Sequence, residues 1–198
     1  MPTIVEYDRV VARMSGQGMR CLYHNSGAFG PAAGAPTHFA GWLGPEDPTI
    51  RPEARVHARQ VAGPFEATLA SLTTRAWLEV LPGPAWVMPK SHWAHDLDLG
   101  RKAWMSEALR QADIDSAPLA TLNVAAAIEF QPHEAARFTV FVQTLLEHLL
   151  GSDFAVAYPG RPVVATIHHH KQVWWLSENE SIIRQIDSIA PVIEGDKK

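Results

Sequence analysis

The chain carries a single cysteine, Cys21, among 198 residues. That excludes an internal disulfide and any zinc finger built on cysteine thiolates. Cys21 has no surrounding nucleophile signature, and a free cysteine most often packs as a small apolar side chain. No run approaches the roughly 20 apolar residues that span a bilayer. The opening MPTIVEYDRV lacks a basic stretch leading into an apolar one, so no signal peptide is expected and a cytoplasmic location is. Basic residues are in the minority, 17 against 21 acidic, for a net charge of −4. Sequence-independent nucleic-acid binding, which needs an excess of Lys and Arg, is therefore not expected.

Known catalytic signatures are absent as well. There is no G-x-S-x-G elbow and no H-E-x-x-H. The glycines of GAFGPAAG lack both the Lys-Ser/Thr of a phosphate-binding loop and the order of a dinucleotide fingerprint. Acyl transfer through a covalent intermediate and phosphate cradling at this loop find no support.

What is present is ordinary globular material with two surpluses. Hydrophobic residues make up 46% and charged residues 19%, enough apolar content for a substantial core. The chain also holds ten His and seven Trp, both of which need a polar partner when buried.

Thr3 followed by Glu6 has the form of a capping box and predicts a first helix bearing Ile4, Tyr7, Val11 and Met14 on one face. A short strand is expected over 19–24, a flexible Gly/Pro-rich loop over 25–36, and a strand in THFAGWLG. A helix is expected near Pro52, another over 65–81, a strand in AWVM, and a helix over 101–112. VAAAIEF reads as a strand. The strongest helical pattern covers 132–150, with Phe138, Phe141, Val142, Leu145 and Leu149 spaced for one apolar face. DFAVAY, the turn PGRP and VVATIHH form a hairpin, with QVWWL either extending it or making another strand. Ser177 and Glu180 predict a cap for a closing helix that Pro191 ends, before a short polar tail. A tight turn between the last strands favours a single α+β domain over residues 1–198, its mainly antiparallel sheet packed on several helices.

The histidines supply the candidate site. Within a regular strand His168 and His170 would share a face, about 6.6 Å apart along the backbone, with His169 opposite. Two such imidazoles can converge on one metal ion, and zinc is the natural guest for His nitrogens. A catalytic zinc needs a third protein ligand, which SHWAHD offers in His92. His95 is the alternative ligand, Asp96 would ligate as well or orient an imidazole, and without a metal a histidine such as His95 beside Asp96 would serve as a general base. Zinc-dependent hydrolysis is then the default chemistry, with binding of a small ligand as the other form of the same expectation.

Two further features feed a second hypothesis. Arg51, Arg55 and Arg59 recur every four residues and on a helix would form a stripe for a phosphate or carboxylate. Trp93, Trp174 and Trp175 are aromatic anchors for a ligand or partner. A non-catalytic interaction or immunity-type subunit would use these residues, so a small molecule and a protein are both candidate partners. Glu129, in an apolar run, is a lesser candidate that needs a partner if buried.

Overall fold

The computed structural model describes residues 1–45, 57–98 and 103–191. Its centre is an eight-stranded sheet in the order β1-β7-β6-β8-β9-β10-β4-β5. The strands are β1 (Thr3–Val5), β4 (His38–Leu43), β5 (Ala58–Gln60), β6 (Ala85–Pro89), β7 (Ala127–Phe130), β8 (Phe154–Ala157), β9 (Val163–His168) and β10 (Gln172–Ser177). Every pairing is antiparallel except β4 with β5. A small second sheet joins β2 (Met19–Cys21) to β3 (Phe29–Pro31). Among the described residues the α helices are α1 (Tyr7–Ser15), α2 (Phe65–Val80), α3 (Trp93–Asp98), α4 (Ala103–Gln111), α5 (Ala117–Ala120), α6 (Ala135–His148) and α7 (Glu180–Asp187). The protein is α+β with a mostly antiparallel sheet, as the strand and helix patterning requires.

Alternation along the strands sorts side chains onto two cores. Ala85 and Val87 of β6, Phe154 and Val156 of β8, and Val173 and Trp175 of β10 join the larger core with α2, α4, α6 and α7. Trp86, Met88, Ala155, Ala157 and Val164 face the other way and meet Val10 and Met14 of α1, with Met19 and Phe29 of the small sheet. The sheet is covered on both faces, which is why its central strands read as nearly continuous apolar runs.

Several expected elements take a different form. Residues Thr3–Val5 are an edge strand paired with β7, and α1 starts at Tyr7 with no side-chain cap from Glu6. Pairing with β7 outweighs the local capping pattern. The segment 25–36 is no free loop: it contains β3, and residues 26–31 are buried. Gly27 runs so close to Met88 and Pro89 that a Cβ there would stand 2.6 Å from each, so the glycine serves close packing. The closing helix is capped by the Asn179 side chain, which accepts from the Ile182 N–H at 3.3 Å. Ser177 ends β10 instead, its Oγ accepting from the Asn179 N–H at 3.0 Å. The helix expected from near Pro52 to Gly63-Pro64 lies outside the described residues up to 56, and beyond them Ala58–Gln60 is strand β5 instead, so Arg59 is on no helical stripe. The start of the helix expected from 101 and the C-terminal tail also lie outside the described residues.

Candidate metal centre

The register of three neighbouring strands assembles the site. β8 pairs with β9 so that Phe154 lies across from Ile167, and with β6 so that Phe154 lies across from Pro89. The next residue along each strand end therefore falls into one row: Lys90, Asp153 and His168. The backbone confirms the row, since the Lys90 N–H donates to the Asp153 carbonyl at 2.9 Å.

His168 is the last residue of β9, and the chain turns over His169, His170 and Lys171 before β10 begins at Gln172. The expected strand alternation across 168–170 is thus overturned. The turn closes with the Lys171 N–H on the His168 carbonyl at 3.1 Å and places Lys171 at φ 58°. Such a three-residue hairpin loop wants its last residue left-handed. Instead of alternating, the three imidazoles gather. Ring centroids lie 4.3 Å apart for His168 and His169, 4.2 Å for His169 and His170, and 5.0 Å for His168 and His170. One ligand nitrogen from each lies within 4.8 Å of the others.

Asp153 orders this cluster. Its Oδ1 accepts from His169 Nδ1 at 2.9 Å and from the His169 backbone N–H at 3.2 Å, and lies 4.0 Å from His168 Nε2. A carboxylate can only accept, so His169 Nδ1 is the donor of this bond, which leaves Nε2 as the nitrogen that could ligate. His168 Nδ1 accepts from the His170 N–H at 3.2 Å. Burial pushes the His168 imidazole below its ordinary pKa; Asp153 pulls the other way, while His169, His170 and Lys90 add to the depression. The side chains of His168 and His169 are about a quarter exposed, and His170 is exposed. The cluster is open to a ligand from solvent.

The other predicted members stand apart from it. Among the described residues the group of close metal-ligating side chains comprises His168, His169 and His170 without His92, His95 or Asp96. His92 and His95 pair with each other at 5.5 Å, and His92 Nδ1 accepts from the His95 N–H at 3.0 Å. Asp96 is fully buried, receives the Ser91 hydroxyl, and makes no hydrogen bond to His95 among the described residues. Trp93 is wholly buried against Phe154, its Nε1 donating to the Ala126 carbonyl. Trp175 is wholly buried between Trp42 and Tyr158. Trp174, on the opposite face, is half-buried over Gly41, where a Cβ would come within 2.5 Å of its ring.

Arg59 lies on β5 and grips Asp187 of α7 through Nε and Nη2, beside a groove of about 380 Å³ lined by His38, Phe39 and His57. Arg51 and Arg55 lie outside the described residues. Glu129 is occupied structurally, accepting from Trp86 Nε1 at 2.7 Å and from Gln131 Nε2 at 3.0 Å. Cys21 is half-buried, its Sγ 3.3 Å from the Tyr7 hydroxyl.

Sequence reasoning missed Asp153 and Lys90. Asp153 is 16 residues from His169, and only strand register relates the two. Compared with protein-family models, curated proteins and solved structures, the chain matches none. No described helix is long and apolar enough to cross a membrane.

Proposed function

We propose that the hairpin turn His168–His169–His170 binds a divalent transition metal, zinc by its ligand chemistry, and that the protein acts on or binds a small molecule there. The observation that carries this reading is the convergence of three imidazoles, one of them held by a carboxylate through the nitrogen that would not ligate. Carboxylate–histidine–metal arrangements fix the ring and strengthen its basicity in this way. Three histidines satisfy a catalytic zinc and leave a fourth position for water, whose pKa falls to about 7 on the metal. Hydrolysis is the chemistry such a site supports. Ligation through His168 Nδ1 would replace its contact with the His170 N–H, a net bond of about 1 kcal/mol and a small cost beside ligation.

The test is elemental analysis of untagged protein purified without metal resin, followed by calorimetric zinc titration. The expected result is one zinc per chain, lost in His168→Ala, His169→Ala and His170→Ala alike. The turn makes all three count, in contrast to the two-against-one pattern of a strand. Asp153→Asn should weaken zinc about 10- to 100-fold. No binding by the parent, or equal binding by parent and all three histidine variants with folding confirmed by circular dichroism, overturns the reading.

A further inference from the structure

The register that brings Asp153 to the histidines also brings Lys90, and its ammonium is held without being consumed. Lys90 Nζ lies 3.8 Å from Asp153 Oδ2, an ion pair too long for a hydrogen bond. Among the described residues Nζ makes no hydrogen bond, and its side chain is 36% exposed. Lys171, a neighbouring cation in the turn, is in a different position: its ammonium is taken up by a close ion pair with Glu66.

The charge balance then selects the ligand. Three neutral imidazoles add nothing, and a divalent ion, the Lys90 ammonium and the Asp153 carboxylate leave a local excess of about two positive charges. Asp153 Oδ1 is already engaged by His169, and its Oδ2 lies 3.8 Å from Lys90 Nζ. An ammonium with unused donors beside a metal with an open position is a two-point receptor for an anionic oxygen group, one oxygen to each.

We infer that the turn site takes an oxyanion, a phosphate or carboxylate group of its small-molecule ligand, with one oxygen on the metal and another accepting from Lys90. This rests on the metal reading above, and extends it by naming the ligand class and a binding residue on a different strand.

The experiment uses the full chain loaded with one equivalent of zinc and freed of excess by gel filtration, titrated calorimetrically with inorganic phosphate and separately with acetate. The parent should bind phosphate saturably. Lys90→Met should bind it at least ten-fold more weakly while taking up zinc at least as tightly, because removing a cation cannot weaken attraction for another. Lys90→Arg, which keeps the charge and donors, should retain phosphate binding, which guards against a merely structural effect of losing Lys90. Acetate binding with the same Lys90 dependence places the carboxylate within the class; acetate left unbound narrows the class to phosphate. Phosphate left unbound by the zinc-loaded parent, or bound equally by Lys90→Met, overturns the inference while leaving zinc binding intact. Failure to take up zinc at the loading step removes both.

Discussion

Tyr158 shows how a single buried hydroxyl governs stability. It follows β8 and is wholly buried, stacked on Trp175 with centroids 5.9 Å apart. Its hydroxyl finds no hydrogen-bond partner among the described residues. An unsatisfied buried donor costs about 1–3 kcal/mol, so Tyr158→Phe should raise stability by about 1 kcal/mol in urea melts. A loss of stability would show that the hydroxyl is satisfied. Burial also drives the phenol pKa far above its ordinary value of 10. The unfolded chain ionises near 10 while the folded one holds its proton, so the native state binds more protons. Stability must then fall as pH rises past 10, at about 1.4 kcal/mol per unit for this group. Melts of parent and Tyr158→Phe should diverge by about 1.4 kcal/mol in all between about pH 9 and 11, most of it above about pH 10, where the slope approaches its limit; parallel curves would refute it.

At the scale of elements, the helix patterns were the most legible. Phe138, Phe141, Val142 and Leu145 of α6 are all buried, with Leu149 just beyond its end. Leu145→Ala should cost about 2–5 kcal/mol; a urea-melt loss below about half a kcal/mol would show that the helix face is not core. Short strands and turns were less legible because their signals are weaker and local patterns compete. Thr3 and Glu6 imitate a helix cap, yet Thr3–Val5 gains more by pairing with β7 at the sheet edge. The β9–β10 turn carries no Gly, Asn or Asp to announce it, and Lys171 takes the left-handed position instead. A strand drawn through His169 and His170 puts them on opposite faces. The real turn folds all three rings together.

For the whole molecule, zinc binding has a thermodynamic consequence that needs no substrate. A ligand that binds only the native state at about 100 times its Kd stabilises by about 2.7 kcal/mol. Zinc at that excess should raise the melting temperature of the parent, a chelator should reverse it, and His170→Ala should show neither effect. A rise of equal size in His170→Ala would place the metal elsewhere. The amino-acid sequence by itself determined the α+β class, the long helices and their core faces, because hydrophobic periodicity is local and survives without a partner. It also singled out His168 and His170. Tertiary structure alone decided that Trp93 and Trp175 belong to the core, that Asp96 is sealed away from His95, and that Asp153 stands between the histidines and Lys90. The reason is register: residues 90, 153 and 168 become neighbours only when three strands hydrogen-bond in one alignment, a relation between distant segments that no local spacing encodes.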